Sequence, residues 1–233
     1  MTLTSRQHEY LQLLGIDAWV LRDSGGDEQP ECGEETAPVD VRPAPDAEQW
    51  RALRAEVKDC RKCPLHQGRT QTVFGVGNET ADWMIIGEAP GAEEDRQGEP
   101  FVGRAGQLLN AMLLATGLRR EQVFIANILK CRPPNNRDPQ PEEVAACENY
   151  LHRQIALVRP KIILAVGRIA AQNLLKVDTP IGRMRGRTYE YKALNVPVVV
   201  TYHPAYLLRS PREKRKAWDD LQMAMQVYSE ARA

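Results

Sequence analysis

The sequence predicts an α/β protein, a three-layer α/β/α sandwich around a central four-stranded parallel sheet. Four short apolar runs, at residues 83–86, 123–129, 162–166 and 198–201, have the length and flanking residues of buried strands. Segments with helical spacing of apolar residues separate them, and strands that alternate with helices build parallel sheets covered on both faces. A chain of 233 residues with 42% apolar content can bury one domain of roughly 150–200 residues and still carry an appendage.

The appendage comes first. Residues 1–22 form a short apolar segment in which Tyr10, Leu13 and Leu14 follow helical spacing before Gly15, with Trp19 beyond. Residues 23–48 are rich in Asp, Glu, Gly and Pro and read as an acidic flexible linker. A short apolar peptide on such a tether suits docking to another protein. Residues 49–233 are the expected folded domain. The formal charge of zero averages two unlike parts: 3 basic against 11 acidic residues up to Glu48, then 28 basic against 20 acidic. The basic body suits a polyanionic partner. No apolar run approaches the roughly 18 residues of a membrane span, and no basic segment leads into an apolar one at the N-terminus, so a cytoplasmic location and no membrane partner are expected.

Within the body, a helix is expected around residues 50–59, followed by the strand 83–86. Gly87, Pro90 and Gly91 stop that strand, and Glu88, Glu93, Glu94 and Asp95 crowd the next loop. Gly98, Pro100 and Gly103 keep the loop irregular until a helix at 105–116. The strand 123–129, a helix at 141–157, the strand 162–166 and a helix at 168–175 follow. Residues 181–197 read as a loop with a short extra strand, before the strand 198–201 and a last helix at 212–231.

This order places Glu88, Glu94 and Phe101 just beyond the carboxyl end of one strand and His203 beyond another, where open parallel sheets keep their ligand crevice. Asn127 lies in the strand between them in sequence. Cysteines add a second signal. Cys60 and Cys63 form a CxxC, Cys131 follows the second strand and Cys147 lies on the next helix, while Cys32 stands apart in the linker. In a cytosolic chain four placed thiols point to a metal or a cluster, and zinc or an iron–sulfur cluster both satisfy them.

The wording of these stretches resembles one family. GEAPGAEED followed by GEPFVGRAG resembles the first signature of the family-4 uracil-DNA glycosylases, the iron–sulfur members of their superfamily. CRKC and KCRPPNNRDPQPEEVAAC look like that family's ligand pattern, which implies a 4Fe-4S cluster on Cys60, Cys63, Cys131 and Cys147 with a structural, DNA-positioning role. TYHPAYLLR resembles the second signature, whose loop enters the minor groove. The resemblance runs from about residue 52 to residue 225 and leaves Cys32 without a role.

The resemblance implies uracil-containing DNA, single- or double-stranded, as substrate and base release by hydrolysis as the reaction. Asn127 takes the position whose amide reads the uracil edge, donating to O4 and accepting from N3–H, and Phe101 offers a face to the ring. His203 would donate to uracil O2. The Asp that activates water in family-1 enzymes falls at Ala89 and the Tyr that excludes thymine at Gly91, which leaves Glu88 and Glu94 as candidates for the water activator. Leu207 or Leu208 would fill the space left by the flipped base, with Arg132, Arg137 and Arg209 toward the phosphates; Lys130 is counted with the same basic surface. The KRRIH insert of a covalently capturing branch does not follow Gly106. YLQLLGIDAWVLR is similar to the peptide by which the psi subunit of bacterial DNA polymerase III binds the clamp loader, so residues 1–22 are expected to engage a replication or repair protein. The enzyme is expected to act as a monomer. Two further classes stay open: a non-catalytic iron–sulfur or zinc module for nucleic acid, and a nucleotide hydrolase using the acidic loop with Mg²⁺.

Overall fold

The computed structural model describes residues 46–231. The expectations for residues 1–22, for the linker up to residue 45 and for Cys32 lie outside the described residues. Residues 46–48 start the first helix instead of ending a linker: the Asp46 carboxylate accepts from the N–H groups of Glu48 and Gln49, both at 3.1 Å, and so caps α1, Ala47–Lys58.

Among the described residues the sheet has six strands: the four expected in parallel, the short extra one expected after them, and one more. Its centre is the expected parallel set: β2 (Trp83–Gly87), β3 (Phe124–Asn127), β4 (Ile162–Val166) and β6 (Val196–Thr201). Two antiparallel edge strands, β1 (Val76–Gly77) and β5 (Thr188–Tyr191), extend it to the order β1-β3-β2-β4-β6-β5. A two-residue strand shows no periodicity, so β1 leaves no trace in the sequence; β5 is the short extra strand anticipated in 181–197.

Side chains of the central strands alternate between two cores, as the pleat requires. Met84, Ile86, Phe124, Ala126, Ile163, Ala165, Val198 and Val200 face one core with α1, α4 (Pro141–Val158) and α5 (Arg168–Leu175). Trp83, Ile85, Ile125, Ile162, Leu164 and Val199 face the other, with α3 (Arg104–Ala115), α7 (Pro204–Arg209) and α8 (Lys214–Glu230). Every residue of β2, β3 and β4 is buried, which is why these strands appear in the sequence as unbroken apolar runs.

Three short elements depart from the sequence reading. Ala92–Gln97 forms a helix, α2, where a loop was expected; its AEEDRQ sequence has no apolar face to give it away. Ile181–Met184 forms α6 before β5. Residues 204–209, expected as a loop, instead coil into α7, with Pro204 at its first position, where a missing N–H costs nothing. Among the described residues no helix is long and apolar enough to cross a membrane.

Candidate active site

The carboxyl ends of the parallel strands hold the candidate residues. Gly87 ends β2 and pairs in register with Asn127, which ends β3. A Cβ at residue 87 would sit 2.4 Å from Asn127 Oδ1 and 2.6 and 2.7 Å from two Phe101 ring carbons, so only glycine admits both side chains here. Asn127 is 2% exposed, and its Oδ1 is buried without a hydrogen-bond partner. Such a group carries the full cost of desolvation unless something else supplies a donor, which makes it a candidate for meeting one on a ligand.

Phe101 covers the same spot from the following loop. Its ring stacks on the His203 imidazole with centroids 5.6 Å apart and planes at 30°, and its backbone has a φ of +54°. His203 caps α7: Nδ1 accepts from the Ala205 N–H at 3.1 Å, which leaves the ring proton on Nε2. Burial pushes its pKa down to about 4, helped by Arg209 and opposed by Glu94, so the ring is a neutral donor at pH 7. Gly167, at φ +102°, backs it; a Cβ there would come within 3.0 Å of the His203 Cβ.

The two candidate carboxylates differ in what surrounds them. Glu88 follows β2, its side chain makes no hydrogen bond among the described residues, and burial lifts its pKa to about 7; Asp138 adds to the rise and Arg168 opposes it. Asp138 and Arg168 are themselves paired at 2.7 Å. Glu94 is already engaged. Its Oε2 accepts from the Gly91 N–H at 3.1 Å, and its Oε1 accepts from the N–H groups of Val102 and Gly103 at 3.0 and 3.3 Å, tying α2 to the Phe101 loop. Gly91 is the N-cap of α2, and a Cβ on it would stand 2.7 Å from Glu94 Oε2, so Glu94 takes the space that a side chain at 91 would need. Ala89 is half-buried against the first core.

Several residues expected to face DNA lie elsewhere. Leu207 is 1% exposed and belongs to the second core, because the helical turn of α7 points it inward; Leu208, half-buried, and Arg209, exposed, are on the outer side. Lys130, counted with the basic loop, is 1% exposed: its amino group donates to the carbonyl of Asn127 at 2.8 Å and to Gln154 Oε1 at 2.6 Å. Arg137 makes two bonds, 2.9 and 2.6 Å, to the buried Glu143 and so staples the loop to α4, while Arg132 donates to Asn136 Oδ1 at 2.8 Å and stays partly exposed. The sequence reading missed Arg120, Lys130 and Gln154 as groups holding the site, since their partners are backbone or distant in sequence.

The four cysteines gather on the α1 and α4 side of the sheet. Cys63, Cys131 and Cys147 are buried in the first core, Cys60 packs against it, and none forms a disulfide. Burial raises the thiols of Cys63 and Cys131, and pushes that of Cys147 up to about 11. Donors surround the sulfurs: Arg69 Nη1 reaches Cys131 Sγ at 3.0 Å, and the backbone N–H groups of Leu65 and Lys130 face Cys63 and Cys147. Among the described residues no three metal-binding side chains converge on a single-ion site. The donor set, four unpaired thiols with N–H and guanidinium groups against them, fits a thiolate-bound cluster, whose charge such donors offset.

An amide with an unpaired oxygen, a neutral imidazole donor, an aromatic face and one open carboxyl converge at the carboxyl edge of a parallel sheet. An α/β protein with such a set at its strand ends has the groups to hold a planar heterocycle by its edge and face. A family profile described as the Uracil DNA glycosylase superfamily matches residues 74–222. The Type-4 uracil-DNA glycosylase of Archaeoglobus fulgidus is 51% identical, covering 71% of this chain and 86% of that protein. That of Thermotoga maritima is 44% identical over 72% of this chain and 88% of its own. A Type-5 uracil-DNA glycosylase of Pyrobaculum aerophilum is 32% identical over 67% and 75%. The chain belongs to the uracil-DNA glycosylase superfamily, in its type-4 branch.

Proposed function

We infer that the protein is a uracil-DNA glycosylase that flips uracil out of DNA and hydrolyses the N-glycosidic bond, leaving free uracil and an abasic site. The observation that carries this is the buried, unpaired Oδ1 of Asn127 beside the Phe101–His203 stack. Uracil offers that oxygen its N3–H and takes the amide N–H at O4; cytosine reverses both groups, and a site built around one edge rejects the other strongly.

Extruding the nucleotide costs a few kcal/mol, least at a mispair. Leu208 and Arg209, on the outer side of α7, are the residues available to follow the base into the duplex. Phe101 receives the uracil ring on its face. As the bond from C1′ to N1 breaks, the electron pair goes to uracil and positive charge develops on the sugar. His203 donates from Nε2 to O2, an oxyanion-type interaction commonly worth about 3–4 kcal/mol. Its tautomer is fixed by the Ala205 N–H, and its neutrality costs no proton transfer.

Glu88 is the carboxylate we assign to the sugar and the attacking water. When ionised it favours the cationic sugar and takes the proton from water as the new C1′–O bond forms. Glu94 we assign to the loop, since both its oxygens accept from backbone N–H groups. The same observation disfavours the acidic loop as a Mg²⁺ site, as does Asp95, whose carboxylate accepts from the Thr70 N–H.

Cys60, Cys63, Cys131 and Cys147 are proposed to hold a 4Fe-4S cluster that fixes the loop of residues 132–140 relative to the sheet. In the assay that tests this function, protein in EDTA is incubated with an oligonucleotide carrying one uracil and with thymine and cytosine controls, and abasic sites are then cleaved. Cleavage confined to the uracil strand is expected; binding without base release would return the protein to the class of non-catalytic modules.

A further inference from the structure

We propose that Arg120 is a positioning residue for uracil capture, holding the Phe101 ring in place by gripping the backbone that carries it. The proposal rests on the reading of Phe101 as the platform for the flipped base.

Phe101 has a φ of +54°, a left-handed backbone that a residue with a Cβ keeps only where its surroundings impose it. Its surroundings do so from three directions. Arg120 Nη2 donates to the Pro100 carbonyl at 2.5 Å and Nη1 to the Phe101 carbonyl at 3.3 Å. Gly106 of α3 also comes up against that carbonyl; an added Cβ there would stand 1.8 Å from the Phe101 oxygen. Beyond it the chain is fixed by Glu94, which accepts from the next two N–H groups. The Phe101 carbonyl is therefore in contact with both a guanidinium and a bare helix backbone.

Arg120 is itself well anchored. It is half-buried in the turn Arg120–Gln122 that leads into β3, and Nη1 also donates to Asn110 Oδ1 of α3 at 3.3 Å. A planar fork is what two successive carbonyls require; a lysine ammonium would reach one of them with less control of direction. The consequence falls on the ring. In this conformation the Phe101 ring lies over Gly87 and against His203, and a change of φ would redirect the Cα–Cβ bond that carries it.

The test uses the full chain and four variants: Arg120→Gln, Arg120→Lys, Phe101→Ala and the Arg120→Gln/Phe101→Ala double. Each is assayed on a uracil oligonucleotide for kcat and KM and for inhibition by free uracil, with thermal melting to confirm the fold. Arg120→Gln should lower kcat about 10- to 100-fold, the cost of a displaced contact, with little change in KM for DNA. Free uracil should inhibit it less in similar proportion. Arg120→Lys should recover part of the loss, and Arg120→Gln should add nothing further in the Phe101→Ala background. If Arg120→Gln does not fold, Arg120→Lys with its own double variant carries the same comparison. Equal losses in both backgrounds, or an undiminished kcat in Arg120→Gln, would overturn the proposal. An undiminished kcat in Phe101→Ala alone would overturn the platform reading and the Arg120 proposal with it.

Discussion

The Lys130 amino group donates to the backbone carbonyl of Asn127 at 2.8 Å, so a fully buried polar side chain anchors the strand end from which the proposed uracil-reading amide projects. The same amino group bonds Gln154, whose amide donates to the Phe74 carbonyl at 2.8 Å. Buried polar networks of this kind cost most when half dismantled.

Lys130→Met leaves the Asn127 carbonyl and Gln154 Oε1 without a donor, about 1–3 kcal/mol each, and removes the cost of burying an amino group, which offsets part of that. We predict a modest net change in melting temperature, at about 2–4 °C per kcal/mol for a domain of this size. Activity should fall more, at least about tenfold, if about 1.4 kcal/mol of the anchoring is lost from the transition state. Melting curves and kcat measured on one preparation check the pair.

The raised pKa of Glu88 gives a signed pH dependence. Below the ordinary carboxylate pKa of 4.5 the group is protonated in both folded and unfolded chains and stability does not vary with its titration; between 4.5 and about 7 the folded chain holds the proton more tightly. Stability owed to Glu88 therefore declines as pH rises through that window, and Glu88→Gln should remove the decline and melt higher than the parent at pH 8. For activity the sign is opposite. The ionised form is the working base, so kcat should rise through about pH 7 in the parent, while Glu88→Gln should lose about 10²- to 10⁴-fold and show no such inflection. Glu94→Gln should instead lower the melting temperature, because three backbone N–H groups lose a charged acceptor.

Replacing Cys60, Cys63, Cys131 or Cys147 by Ser should reduce bound iron and stability, and replacing Cys32 should change neither. Iron per chain, read with visible absorbance of the purified protein, decides it. Constant iron across the first four variants would remove the ligand assignment.

The sheet was readable from the chain because β2, β3 and β4 are buried on both faces and carry no polar residue until their ends. The candidate site could be drawn in outline, since strand ends supplied Glu88, Asn127 and His203 as candidates. What stayed hidden depends on direction. Leu207 and Leu208 are adjacent and chemically alike, and only the phase of α7 sends one into the core. Lys130 and Arg132 flank Cys131, and the bends that follow β3 turn one inward and the other out. Glu94 and Glu88 are equal in sequence, but Glu94 meets backbone N–H groups up to nine residues away, a contact that no side-chain pattern announces. Arg120 was invisible for the same reason: its partners are carbonyls.

The most direct test of the central claim is Asn127→Asp. The substitution keeps size and shape but replaces the amide donor to O4 by a carboxylate oxygen. Excision from a uracil oligonucleotide, a cytosine oligonucleotide and a thymine control is measured for parent and variant, with melting temperature and iron content as controls on the fold. The account predicts that the variant stays folded and loses uracil excision or its preference for uracil over cytosine. Parent-level uracil excision with parent-level selectivity would contradict it, because the edge of the base would then be read by some other group.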